Sequence, residues 1–207
     1  MQDFVSLTQL EIYKEITDLT PIESLVNLEY LVLVNTLGTS IDMTLFPNLD
    51  YVYISNASME RLDFTNCPNL TEISIDNATT SEITFGNHPL LDDLLISNAD
   101  TPQLNLSGCT ALTRLLVNNT NSMINLDVSQ CALLEFIEFD NNLLLPYVDL
   151  SANTALVSVR AEDNPILETI YINNGTNTNI GQTFRVKDNP SLTCVQVDDV
   201  DWSNTCL

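Results

Sequence analysis

Apolar residues recur along this chain at a fixed step. In L-L-D-D-L-L-I-S-N-A, residues 90–99, they fall at Leu91, Leu94 and Ile96, with Asn98 behind them. Leu70, Ile73, Ile75 and Asn77 stand 21 residues earlier, and Leu112, Leu115, Val117 and Asn119 stand 21 later. The same step links Leu49, Val52, Ile54 and Asn56 to Leu28, Leu31 and Leu33, and these to Leu7, Leu10 and Ile12. A second apolar column runs between: Ile41/Met43, Leu62/Phe64, Ile83/Phe85, Leu104/Leu106, Leu126/Val128, Val148/Leu150 and Ile170/Ile172, spaced 21, 21, 21, 22, 22 and 22. Within each half the alternation has period two, which means extended backbone and few helices. After Ile172 the rhythm breaks. Asn173 to Gln182 is rich in Asn, Thr and Gly and reads as a loop. Phe184, Val186 and Asn189 recover a strand, Val195 and Val197 form the last one, and Trp202 with the tail covers the open end.

LxxLxLxxN is the leucine-rich-repeat consensus, a short strand followed by a return segment. The first unit, I-T-D-L-T-P-I-E-S-L-V-N-L-E-Y-L, closely resembles the internalin-type leucine-rich repeat. That resemblance makes the proline-bearing half the convex side and LxxLxL the concave strand. The return segments L-D-F-T-N-C-P-N-L, L-N-L-S-G-C-T-A-L, L-D-V-S-Q-C-A-L-L and V-D-L-S-A-N-T-A-L resemble the repeats of secreted, Bacteroidota-type leucine-rich-repeat proteins. The closing run D-N-P-S-L-T-C-V-Q-V-D-D is similar to their last repeat. The likeness covers about Leu7 to Asp199. The expected fold is an α/β-class leucine-rich-repeat solenoid, mostly β with few helices. It is right-handed, with repeats of 21–22 residues and a parallel concave sheet of about nine to ten short strands. One domain spans 1–207: a first repeat over 1–27, regular repeats over 28–172, and an irregular last repeat with a cap over 173–207.

Two further columns invite a chemical reading. The first is Asn35, Asn56, Asn77, Asn98, Asn119, Asn142 and Asn164, expected as an inward structural ladder whose amides satisfy backbone groups between rungs. Asn56 and Asn77 also begin N-x-[ST] sequons, which inward placement would make inaccessible. The second is Cys67, His88, Cys109, Cys131 and Asn153. Metal ligands must converge on a point, and a column spreads them along a line about 4.8 Å per rung, so inward packing slots are expected and no metal. A Cys109–Cys131 disulfide stays open. Cys194 and Cys206 stand outside the column, and a bridge between them would pin the C-terminal end in an oxidising compartment.

In the concave frame, alternate strand positions face outward. They gather Tyr30, Tyr51, Tyr53, Leu95, Leu116, Arg114 and Phe136 on one face, expected as the ligand-binding residues. Asp76, Asp93, Asp140 and Glu162 lie beside them and favour a neutral, basic or cation-bridged partner.

Composition narrows the partner. Six Lys+Arg against 28 Asp+Glu give a net charge of −22, which argues against nucleic acid and anionic membrane surfaces. No apolar run reaches the ~20 residues of a membrane helix. The start, M-Q-D-F-V-S-L-T, has neither basic nor long apolar segment, so no signal peptide is read and export follows from the resemblance alone. His88 is the one histidine, and no nucleophile elbow, phosphate loop or HExxH is present. The expectation is a non-enzymatic, secreted or cell-surface module without cofactor, binding a protein or glycan. A structural subunit of a surface filament or adhesin that self-assembles, and an ice-binding face, are the alternatives.

Overall fold

The computed structural model describes residues 6–80, 82–176, 179–180 and 183–198. Its strands are β1 (Gln9–Ile12), β2 (Tyr30–Val34), β3 (Tyr51–Ser58), β4 (Leu62–Asp63), β5 (Glu72–Thr79), β6 (Ile83–Thr84), β7 (Asp93–Ser97) and β8 (Gln103–Asn105). They continue as β9 (Arg114–Asn118), β10 (Asn125–Asp127), β11 (Phe136–Glu138), β12 (Tyr147–Asp149), β13 (Ser158–Glu162), β14 (Thr169–Tyr171), β15 (Phe184–Lys187) and β16 (Cys194–Gln196). Nine of them form one parallel sheet in the order β1-β2-β3-β5-β7-β9-β11-β13-β15. The return strands form three small sheets, β4-β6, β10-β8 and β12-β14-β16. No α-helix occurs among the described residues. The proline-bearing first unit makes a 3-10 turn at Thr20–Ser24, and a second lies at Met43–Leu45. This is the mostly-β parallel solenoid that the period-two alternation predicts. The ending differs in one respect. β16 pairs with β14 on the return side, so β15 is the last strand of the large sheet, and Val197 lies beyond β16.

The repeat registers onto itself one rung at a time. Leu31 pairs with Val52, Val52 with Ile73, Ile73 with Leu94, and Leu94 with Leu115. These residues and Leu33, Ile54, Ile75, Ile96 and Val117 are fully buried, and the return column from Met43 to Ile172 closes on them from the other side. Because each rung packs only on its neighbours, the core is a continuous stripe with no centre. Leu→Ala at such a position costs about 2–5 kcal/mol.

The recurring L-D-x-[ST] of the return segments has a local cause. Asp18, Asp42, Asp63, Asp127 and Asp149 each accept the backbone N–H two residues on, at 2.9–3.0 Å, and Asn105 does so at 3.2 Å. Each is an Asx turn, steering the chain out of the return strand.

The asparagine column is corrected by the backbone. Asn35, Asn56, Asn77, Asn98 and Asn119 have φ between 48° and 58°, followed on later rungs by Asn141, Asp163 and Asp188. Every concave strand from β2 onward therefore turns through one left-handed residue, and Asn and Asp tolerate that region better than other side chains. Asn56, Asn77 and Asn98 are exposed, and Asn119 is half-buried. Their amides bridge rungs on the outside: Asn77 donates to Asn56 at 2.5 Å and Asn98 to Asp76 at 3.0 Å. Asn56, Asn77, Asn98 and Asn119 are thus not an inward ladder, and the sequon asparagines Asn56 and Asn77 are accessible.

The inward position is the next residue. It is Thr36, Ala57, Ala78, Ala99 and Thr120 on the earlier rungs, then Asn142 and Asn164, all buried. Asn142 accepts from the Thr120 N–H at 3.1 Å and donates to the Val117 carbonyl at 2.9 Å, while Asn164 accepts from the Asn142 N–H at 2.9 Å. The two columns run together in the sequence because Asn141 and Asn142 are both asparagine just where the step lengthens from 21 to 22.

Candidate functional site

The outward positions of the large sheet assemble into registered columns. One reads Tyr30, Tyr51, Glu72, Asp93, Arg114, Phe136 and Ser158. The next reads Val32, Tyr53, Ser74, Leu95, Leu116, Glu138, Arg160 and Arg185. The sheet's hydrogen bonds hold both columns, so the spacing of their side chains is set before any partner arrives.

At the N-terminal rungs the face is aromatic. The Tyr30 and Tyr51 rings stack with centroids 4.5 Å apart and 8° between planes. Tyr13 follows β1, 60% exposed, and its hydroxyl donates to Glu11 at 3.0 Å. The hydroxyls of Tyr30 and Tyr53 lie near enough to influence its ionisation. Val32, on the same outward face, is only 2% exposed, so the aromatic surface is closed over rather than pitted. Burial, and after it the charge of Glu72, pushes the Tyr51 phenol up to about 12, so it stays a neutral donor at physiological pH.

The central rungs are acidic. Burial, and then the like charge of Asp93 one rung away, raise the Glu72 carboxyl above its usual range, and Arg114 opposes them. Arg114 ion-pairs with Asp93 at 3.4 Å. Beyond it, Arg114, Leu116, Phe136, Glu138, Arg160 and Arg185 line an open concavity of about 400 Å³. Phe136 is 44% exposed there. Arg160 gathers Asp140 at 2.7 Å, Glu162 at 3.5 Å and Glu138 at 3.8 Å, and Arg185 reaches Glu162 at 3.3 Å.

The seven expected binding residues thus lie on one face but in two groups. Tyr30, Tyr51 and Tyr53 cluster at one end, and Arg114, Leu116 and Phe136 at the other, with the half-buried Leu95 and the acidic rungs between. Sequence reasoning missed Tyr13 and the cluster around Arg160 and Arg185. Tyr13 directly follows the last residue of β1, a place legible in the first repeat. Arg185 lies past the irregular loop, where no fixed step could place it opposite Arg160.

A larger open hollow, about 680 Å³, lies on the return side among Glu23, Asp42, Glu60, Arg61, Asp63 and Glu82. Its groups are engaged within the chain. Glu23 accepts the Asp42 N–H at 3.0 Å, and Arg61 holds Asp63 at 3.0 Å and Glu82 at 3.3 Å. It carries no exposed aromatic surface, and the concave face is the better candidate despite its smaller concavity.

Cys67, His88, Cys109, Cys131 and Asn153 are all fully buried. The cysteines are free thiols, so Cys109 and Cys131 are not bridged. Cys67 donates to the Met43 carbonyl at 3.3 Å. Burial pushes Cys67 and Cys109 up to about 12 and Cys131 to about 11, far from the thiolate a nucleophile needs. Asn153 donates to the Val128 and Cys131 carbonyls at 2.9 and 2.8 Å. His88 stands edge-on to Phe85 with no well-formed hydrogen bond at either ring nitrogen, and burial lowers its pKa below the usual imidazole value against a weaker pull from the Cys67 backbone. Among the described residues no group of three or more His, Cys, Asp or Glu could hold a metal ion. Cys194 is a free, half-buried thiol, while Cys206 and Trp202 lie outside the described residues.

Solved structures give this architecture a place. A domain of InlJ from Listeria monocytogenes superposes with a TM-score of 0.64 at 20% identity, over 92% of this chain and 56% of that one. The internalin InlF from Listeria monocytogenes superposes with a TM-score of 0.59 at 19% identity, over 95% of this chain and 63% of that one. The fold is the internalin leucine-rich-repeat fold. The chain spans less than two thirds of either internalin chain. The InlJ domain is described as functional and as including a cysteine ladder. In this chain Cys67, Cys109 and Cys131 share their column with His88 and Asn153. No protein-family model and no curated protein match the sequence. Among the described residues no helix is long and apolar enough to cross a membrane.

Proposed function

We propose that the chain is a non-enzymatic recognition module of an exported, surface-borne protein, holding a protein or glycan partner against its concave face. The observation that carries this reading is the stacked pair Tyr30–Tyr51 with Tyr53 and Tyr13 beside it. Tyrosines on a rigid sheet present large amphipathic area with little conformational entropy to lose, as interface hot spots do. Leu95, Leu116 and Phe136 extend the contact along the same face, with Arg114 at the junction of the two groups. The internalin fold and the resemblance to secreted repeat proteins support an adhesive setting. The buried, protonated thiols and the engaged carboxylates give no support to catalysis.

The test is binding to arrays of glycans and of cell-surface proteins, with the chain and with Tyr51→Ala/Tyr53→Ala. The expected result is a partner whose affinity falls at least about tenfold in the variant, with an unchanged circular dichroism spectrum. Equal binding by both proteins would overturn the reading. A second reading, a filament subunit, has the exposed Leu143, Leu144, Tyr147 and Ile166 in its favour. Concentration-dependent growth in sedimentation velocity, unaffected by the tyrosine changes, would support that instead.

A further inference from the structure

The concave face is electrically divided. In β2, β3, β5 and β7 no lysine or arginine occurs, while Glu72, Asp76 and Asp93 all lie on the outward side. Four of the chain's six basic residues, Arg114, Arg160, Arg185 and Lys187, fall on the later rungs of the same sheet. Arg114 reaches Asp93 at 3.4 Å yet leaves it a like charge toward Glu72, and Asp76 accepts from Asn98. Among the described residues no ion pair engages Glu72, which pairs in register with Tyr51 on one side and Asp93 on the other. A half-buried carboxylate thus stands between a stacked aromatic pair and a like charge. Such a surface fits a cation: the carboxylate supplies the charge, and the ring faces supply a quadrupole that attracts a flat guanidinium or an ammonium.

We infer that the partner's contact group is cationic: an arginine- or lysine-bearing segment of a protein, seated on Tyr30, Tyr51 and Tyr53 with its charge against Glu72 and Asp93. The inference rests on the concave-face reading and narrows it from protein or glycan to a protein with a basic contact segment. The guanidinium lies along the rings and donates to the Glu72 carboxylate, relieving its repulsion with Asp93. From Arg114 onward the cations are paired with Asp93, Glu138, Asp140, Glu162 and Asp188, so those rungs offer a basic segment little attraction and its basic end is held at the tyrosines.

The whole chain, labelled for tyrosine ring and backbone amide resonances, is titrated with N-acetyl-arginine methylamide and with its uncharged citrulline counterpart. The expected result is movement of the Tyr30, Tyr51 and Tyr53 ring signals by the arginine derivative and none by the citrulline one. Glu72→Gln/Asp93→Asn, which leaves every tyrosine in place, should weaken the arginine response about tenfold. Equal responses to both probes, or an undiminished response in the double variant, would overturn the inference. So would shifts around Asp63 and Glu82 as large as those at the tyrosines, since the probe would then be sampling general negative charge. The array partner separates the two levels of the reading. Binding lost in Tyr51→Ala/Tyr53→Ala but kept, salt-insensitive, in Glu72→Gln/Asp93→Asn means a neutral partner, glycan included: the concave face stands and the cation falls. Binding kept in the tyrosine variant removes the concave face itself.

Discussion

At the scale of single residues, two neighbouring positions on each rung do opposite jobs. The left-handed residue must tolerate positive φ and faces water. The residue after it faces inward and is small on the earlier rungs, and from Asn142 onward a side-chain amide there satisfies backbone groups. His88 is the residue that solves its position least well. An amide in that place could donate to the Phe64 and Cys67 carbonyls, as Asn153 does to Val128 and Cys131 three rungs later in the same column. His88→Asn should therefore raise stability by about 1 kcal/mol near neutral pH. The pH dependence gives the sharper test. Burial lowers the imidazole's pKa in the folded chain, so the unfolded chain takes the proton first. The contribution is intact above the unfolded value of about 6.5 and is lost as pH falls below it toward the depressed native value. Urea midpoints at about pH 7.5 and about pH 5.5 should fall further for the parent chain than for the variant. Parallel falls would show that His88 titrates without consequence.

At the scale of elements, β11, β13 and β15 are tied together across their outward face by two guanidiniums, Arg160 and, from β15 to Glu162, Arg185. Arg160 on β13 gathers Glu138, Asp140 and Glu162. Burial raises the Asp140 carboxyl above its ordinary range, against the pull of Arg160 and of a backbone N–H from Glu162. Removing the cation leaves Glu138 and Asp140 without a counter-charge and Glu162 with Arg185 alone. Arg160→Gln should lower stability at about pH 7 by roughly 1 kcal/mol, a modest figure because solvent reaches the guanidinium. The sign follows from the raised value: a carboxyl whose folded pKa exceeds its unfolded one favours the fold at low pH and loses that contribution as pH rises through the folded value. The deficit of the variant should thus grow as pH rises from about 3.9, the unfolded carboxylate value, to about 7 in paired urea titrations. A deficit independent of pH would place the effect in packing of the arginine stem instead.

At the scale of the whole molecule, a stack of rungs concentrates a net charge of −22 along a narrow body. Self-repulsion then opposes the fold, and screening should relieve it more than it weakens the few surface ion pairs. The melting temperature should rise by several degrees between low salt and about 0.5 M sodium chloride, where the Debye length is only a few ångströms. A fall with salt would mean that the ion pairs of Arg61, Arg114 and Arg160 outweigh the repulsion. The same field bears on recognition. A face whose early rungs are aromatic and acidic, and whose later rungs hold most of the positive charge, presents a direction as well as a surface.

The repeating pattern by itself determined most of the fold. An inward-facing residue must be apolar on every rung and alternation must have period two, so Leu31, Val52, Ile73 and Leu94 announce strand, face and register together. The L-D-x-[ST] turns are equally local. Only the tertiary structure separated Asn141 from Asn142, because two adjacent asparagines with opposite directions look the same in a column whose step has just changed by one residue. Only the structure brought Arg160 and Arg185 into register across an irregular loop, and only it showed Tyr30 and Tyr51 stacked and Val32 covered. Core positions repeat because each rung must bury the same stripe. Surface positions answer to neighbours on other rungs, and those neighbours are fixed only once the strands have stacked.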